Sequence, residues 1–297
     1  TMNNILRFEG KAVYGMISMM SGAVLNIAGD AILMLGFQMG IKGAGLSTAV
    51  SQVVSFCILF SAFLRGKSQC RLSLKKIRLT AAHLGDIAGT GFPSLLRQAL
   101  NSITTVLLNT EARVYGDEAV AAMRIVSRIY FFIFAVALGV GQGFQPVSGF
   151  NYGAGKYERV RKAFKFTVML SEGVLFGLAI LVFVFAPELI YRFREDSEVV
   201  RIGTRALRLQ AAAGIFMAMC MATEMLLQST GQKADAAIVS SLRSGILMIP
   251  TLLILAHLRG LAGIQEAQPL AYILSILPTL FFAVRYFKKL PKSDTAE

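Results

Sequence analysis

GAGLSTAVSQVVSFCILFSAFL, residues Gly43–Leu64, runs for 22 residues without a charged side chain, and RGKSQCRLSLKKIRLT, residues Arg65–Thr80, follows with six basic residues and no acid. As a helix rising about 1.5 Å per residue, the first segment is long enough to cross a hydrocarbon core of roughly 30 Å. A Lys/Arg-rich segment directly after a span is held on the cytoplasmic side. The pair therefore reads as a membrane helix followed by a cytoplasmic loop.

The same pattern extends in both directions. Upstream, Ala12–Gly29 is free of charge and its apolar pattern continues past Asp30 to Leu35. Downstream, further spans are expected at Gly91–Asn109, in a run Ile129–Gly155 that begins near Ala119, at Phe166–Pro187, at Ile202–Leu227, at Ala236–Ala256 and at Ala267–Phe287. Pro93 falls in the first turn of its helix, where a missing N–H costs little. The fold class is all-α, a polytopic bundle of eight transmembrane helices. With eight spans both termini share a side; that side holds eighteen basic residues and the other seven, so both are expected in the cytoplasm.

Composition agrees. Of 297 residues, 55% are hydrophobic and 16% charged, and mean hydropathy is +0.61, well under the roughly 25% charge usual in soluble domains. Disorder, collagen and disulfide scaffolds are excluded. The net charge of +13 does not imply a nucleic-acid partner, because the basic residues sit between apolar runs and are not interleaved with aromatics on a polar face. Cys57, Cys70 and Cys220 are scattered, with no metal-ligand spacing. His83 and His257 are far apart, and the glycines of GVGQG (Gly139, Gly141, Gly143) lie late in a membrane helix with no preceding strand, so they suit helix packing rather than a nucleotide. No catalytic constellation, metal site or cofactor is expected, and the chain is not read as an enzyme. It opens on Thr1 before Met2, in a segment that reads like an interhelical loop, which is the pattern of a fragment.

A carboxylate inside hydrocarbon costs several kcal/mol unless it is protonated, paired or bound to a cation. Asn26 and Asp30 are spaced i, i+4 on one face of the first span, and Thr48 lies at similar depth on the second. An amide oxygen, a carboxylate and a hydroxyl suit a proton or a hard monovalent cation. They equally suit an interhelical hydrogen-bond knot. Elsewhere Arg97, Gln98 and Asn101, then Arg124 and Arg128, Gln142 and Gln145, and Arg208 are polar groups within spans that either line a water-filled cavity or snorkel. Glu224 and Arg243 are expected to pair across a short loop, with no transport role. A gapless shift of 223 residues aligns Ser21, Gly22, Gly40, Ile41 and Ala44 with Ser244, Gly245, Gly263, Ile264 and Ala267, a weak repeat of the kind transporters carry.

The segment NNILRFEGK leading into SGAVLNIAGDAILMLGFQMGIKGAGLSTAVSQ resembles the fifth and sixth helices of the multidrug and toxic compound extrusion (MATE) transporters. GFPSLLRQ resembles the start of that family's seventh helix, and GQGFQPVSGFNYGAGKYERVRKAF the end of its eighth and the loop beyond. The resemblance covers essentially the whole chain and is closest to the bacterial MepA-like branch. It implies helices five to twelve of a twelve-helix transporter: residues 1–79 as the last two helices of the N-terminal lobe with the cytoplasmic linker, and residues 80–297 as a six-helix C-terminal lobe. The implied activity is cation-coupled antiport, exporting amphipathic, often cationic drugs across a bacterial inner membrane. Asn26, Asp30 and Thr48 match the family's cation site, with H+ or Na+ as coupling ion, and Arg97, Gln98, Asn101, Gln142 and Gln145 are the candidate substrate-cavity residues. Implied partners are small-molecule drugs, the bilayer and the N-terminal helices missing from this chain. Asn101 stands where some sodium-driven members carry Glu, and Met219 near where they carry Asp, which favours proton coupling through Asp30. The alternatives are a flippase for lipid-linked sugars, which would want Arg97, Arg124 and Arg128 for phosphate, and a non-transporting scaffold.

Overall fold

A computed structural model describes residues 2–70 and 80–291, and every regular element in it is helical. The core of the basic linker, residues 71–79, and the tail from Lys292 lie outside the described residues. The chain divides into two compact units, Thr1–Leu79 and Thr80–Glu297.

The first unit is a short helix, α1 (Met2–Phe8), and a hairpin of α2 (Ala12–Asp30) and α3 (Gly40–Leu64). Beyond Asp30, α2 widens into a π-helical turn, Ala31–Gly36. Gln38 and Gly40, at φ +53° and +55°, then reverse the chain in the left-handed region. Without a hydrophobic drive between helices in lipid, small residues and hydrogen bonds hold such a hairpin. Gly22 and Gly29 approach α3 so closely that a Cβ would lie 2.0 Å from Ser55 Oγ and 2.5 Å from Ser47 Oγ. Ser18 Oγ donates to the Ser55 carbonyl at 2.7 Å and Ser55 Oγ returns a bond to the Ser18 carbonyl at 3.1 Å. At the other end, Glu9 accepts from Ser68 Oγ at 2.7 Å and from the Gln69 and Cys70 amides, tying the α1–α2 turn to the chain after α3.

The second unit comprises α4 (Ala81–Arg113), α5 (Asp117–Gly153), α6 (Tyr157–Tyr191), α7 (Ser197–Gly214), α8 (Met217–Ser229), α9 (Lys233–Ser241), α10 (Met248–Arg259) and α11 (Leu261–Lys289). The long helix α5 runs through both of its apolar cores, contributing Tyr130, Ile133 and Phe144 to one and Ala119, Met123 and Val126 to the other. Two expected spans are not straight. The segment read as one helix, Ile202–Leu227, breaks after Gly214 and bends by 51° between α7 and α8, where a Cβ on Gly214 would lie a tight 3.3 Å from the Tyr130 ring. Asp196 caps α7 by accepting from the Glu198 and Val199 amides. Between α9 and α10 a π-helical turn, Leu242–Ile246, carries Arg243 inward. Pro250 has no N–H to return to Ile246, which loosens the ladder at that turn.

Among the described residues, six helical stretches are long and apolar enough to cross a membrane: Ala12–Gly36, Gly40–Leu64, Asp117–Gly153, Tyr157–Tyr191, Lys233–Arg259 and Leu261–Lys289, with α7–α8 a seventh if the bent pair is one span. The third expected span lies within α4, which is outside that set because Asp86, Arg97, Asn101, Asn109 and Glu111 spread polar groups along it.

Candidate ion and cargo sites

Asn26 bridges α2 to α3 between the close approaches at Gly22 and Gly29. Its Nδ2 donates to Ser47 Oγ at 3.3 Å and to Thr48 Oγ1 at 3.2 Å, Ser47 Oγ donates back to the Asn26 carbonyl at 2.9 Å, and Thr48 Oγ1 donates to the Ala44 carbonyl. Two of the three expected cation-site residues are thus joined directly. Asp30, one turn further and immediately before the π turn, does not bond to either: its Oδ1 is buried and, among the described residues, has no hydrogen-bond partner. With the Asn26 nitrogen engaged by two hydroxyls, its amide oxygen and the Asp30 carboxylate are the acceptors left for an incoming proton or cation. Ser47, which the sequence reading passed over, is the missing member of the cluster. Its recurrence with Ser51 and Ser55 at every fourth residue is the signal that marks it as the face of α3 turned to α2.

In the second unit a cavity of about 620 Å³ opens among α4, α5, the turn after α9 and α11, and is lined by Gln98 and Asn101. Arg97, Gln142 and Gln145 do not line it. Arg97 turns away to Glu224, its Nε 3.4 Å from Oε1, while Arg243 lies 3.9 Å from Oε2. The expected Glu224–Arg243 pair is therefore a triad, with Glu224 and Arg243 only 2% and 5% exposed. Gln145 is buried and bonds Gln228 at 2.9 Å, and Gln228 in turn bonds Ser94 on α4. That linkage ties three helices together. Gln142 is half-buried on the same stretch of α5.

The cavity wall adds residues that the sequence reading did not place there: Tyr130, Phe131 and Phe134 from α5, and Gln268 and Tyr272 from α11. Arg243 sits over the rings of Phe134 and Tyr272, with centroids at 5.5 and 5.8 Å. Gln268 and Tyr272 share a helical face and are hydrogen-bonded at 2.7 Å. Their i, i+4 spacing was readable, but which helices they face is a tertiary fact.

The MatE family model matches residues 93–254, more than half of the chain. Among characterised proteins, the chain is 31% identical over 258 residues to the multidrug export protein MepA of Staphylococcus saprophyticus, covering 87% of this chain and 57% of that one. Against MepA of Staphylococcus aureus it is 28% identical over 275 residues, covering 92% and 60%. Among solved structures, it superposes with TM-score 0.90 and 25% identity on an outward-facing multidrug resistance MATE family transporter of the MOP superfamily, covering 98% of this chain and 66% of that one. The chain thus spans less than two thirds of the length of these relatives.

Proposed function

Since the chain belongs to the MatE family of membrane transporters, we propose that it forms the greater part of a cation-coupled multidrug efflux antiporter, with Asp30 as the coupling carboxylate and Asn26 and Thr48 as its partners. The observation that carries this reading is the Asp30 Oδ1, buried without a partner one helical turn from the Asn26–Thr48 bond. An unpaired carboxylate at such a place is costly when charged and unliganded, so a proton or a monovalent cation there is held tightly in one conformation and released in another that wets the site. Alternating access needs such a group, because an ion can bias the conformational equilibrium only by its different affinity for the two states. The adjacent π turn is a place where α2 can change its winding without unfolding. Proton coupling is favoured, since Asn101 and Met219 stand where some sodium-driven members of the family carry Glu and Asp.

The proposed topology is eight spans, with α4 crossing as a polar, cavity-lining helix and both termini of this chain in the cytoplasm of a bacterial cell, the remaining helices of the parent completing the first unit. Cargo is an amphipathic, often cationic, drug-sized molecule. The lipid-linked sugar reading is weaker, because of its three arginines only Arg124 lines the second unit's cavity. The test is uptake of ethidium by inside-out vesicles containing the full-length protein under an imposed pH or sodium gradient. Accumulation that collapses when the gradient is dissipated supports antiport, and uptake indifferent to both gradients rejects it.

A further inference from the structure

We infer that the cavity of the second unit is an oxyanion-accepting site, fitted to the carboxylate, sulfonate or phosphate end of an aromatic ligand. Its charged lining side chains are Arg124 and Arg243, with no Asp or Glu beside them. The nearest carboxylate, Glu224, is 2% exposed, stands outside the lining and is shared between Arg97 and Arg243, so two guanidinium groups face one acid. A cationic ligand therefore meets two positive charges and no accessible negative one.

Arg243 is the stronger half of the case. It is 5% exposed, yet its carboxylate partner at 3.9 Å is beyond hydrogen-bond reach, and its terminal nitrogens reach only the sulfurs of Met217 and Met221, at 3.8 and 3.4 Å. Thioether sulfur is a weak acceptor. A buried guanidinium with donors so poorly met, on the wall of a cavity, is an oxyanion receptor in waiting, because charge-assisted bonds to a carboxylate or phosphate are the strong ones.

Arg124 extends the site. Its Nε reaches Asn109 Oδ1 at 3.5 Å, and no carboxylate pairs with its guanidinium among the described residues. Arg124 and Asn109 also line a second hollow of about 740 Å³, which adds Arg113 and Arg194 and has Asp117 as its one acid. Arg113 and Arg194 thus extend the run of arginines along two adjoining hollows, with Arg194 paired to Asp196 at 3.7 Å and Arg124 unpaired with any carboxylate among the described residues. The rings of Tyr130, Phe131, Phe134 and Tyr272 on the inner wall supply faces for a planar body.

This proposal concerns the second unit's cavity alone and does not depend on where efflux cargo is held, and its test measures binding, not transport. Full-length protein in phosphatidylcholine nanodiscs is titrated at pH 8 with fluorescein and with rhodamine 123, xanthene dyes of opposite charge, following fluorescence anisotropy. The expected result is fluorescein bound about tenfold or more tighter, with Arg124→Gln weakening it by a similar factor, the scale of one charge-assisted contact. Arg124 is exposed, so that variant folds even if Arg243→Gln does not. Repeating the titration with phosphatidylglycerol in the disc identifies the source of the natural oxyanion: competition marks a lipid headgroup, and its absence a soluble acid. Rhodamine bound as tightly as fluorescein, or fluorescein indifferent to Arg124→Gln, overturns the proposal. Ethidium uptake indifferent to both gradients, with the dye selectivity and its Arg124 dependence intact, counts against the efflux reading alone.

Discussion

Asn26 Nδ2 donates to Thr48 Oγ1 across the α2–α3 hairpin at 3.2 Å, while Asp30, one turn along the same helix, keeps a buried carboxylate oxygen with no partner. The hydrogen-bond knot that the sequence offers as one reading of the three residues therefore takes in Asn26 and Thr48 but not the Asp30 Oδ1. Asn26, Ser47 and Thr48 hold the helices together, and Asp30 is held in place by that packing without being satisfied by it. A saturated knot would give the carboxylate a reason to be there that needs no ligand, and the unmet oxygen removes it.

The buried triad makes a stability prediction. Glu224→Gln leaves Arg97 and Arg243 facing each other without an acid and is expected to cost about 3 kcal/mol or more, the scale of breaking a buried ion pair from one side. The double variant Glu224→Gln/Arg243→Met, which removes one of the stranded cations, is expected to recover much of that loss. Thermal unfolding in detergent for the two singles and the double reads the cycle; additive losses would mean that Glu224 and Arg243 are not coupled.

Gly263 tests the α10–α11 hairpin. A Cβ there would lie 1.9 Å from the Leu255 carbonyl oxygen and 2.4 Å from its carbon, backbone atoms that cannot rotate away. Gly263→Ala is expected to cost about 1–3 kcal/mol as overpacking and to lower the melting temperature of the purified protein, whereas Gly177→Ala, with open space at that position, is not. Equal melting temperatures for the two variants would contradict the observed approach of the helices.

Glu9 sets a pH dependence outside the spans. The Ser68 hydroxyl, followed by the Cys70 and Gln69 amides, holds its carboxyl below the ordinary 4.5. A carboxyl lowered by folding stabilises the folded turn fully above its unfolded value, and that contribution disappears as pH falls through the lowered one. Hydrogen exchange of the Gln69 and Cys70 amides is therefore expected to stay slow at neutral pH and to accelerate under acid. In Ser68→Ala the acceleration begins at higher pH, and an unchanged profile would show that the hydroxyl does not hold the carboxylate.

Much of the fold was legible because lipid simplifies the code: uncharged runs of spanning length and a basic residue count were enough to place most helices. What escaped reading were places where the backbone departs from one straight helix. The break after Gly214 depends on a tyrosine from α5, and the inward turn at Arg243 depends on what α4 and α8 present to it; neither neighbour is near in sequence. The site follows the same division. Asn26, Asp30 and Thr48 share one hairpin, so helical spacing alone brought them together, although it did not show which of them would stay unbonded. Arg97 and Glu224 are distant in the chain, as are Gln145 and Gln228, so that ion pair and that helix-to-helix bond are contacts that only packing reveals.

Asp30 carries the central claim, and the most direct measurement is proton release on drug binding by the full-length protein, wild type against Asp30→Asn, in weakly buffered solution with a pH indicator. The account predicts that ethidium binding releases close to one proton from the wild type and none from the variant. Proton release from Asp30→Asn equal to that of the wild type would contradict it.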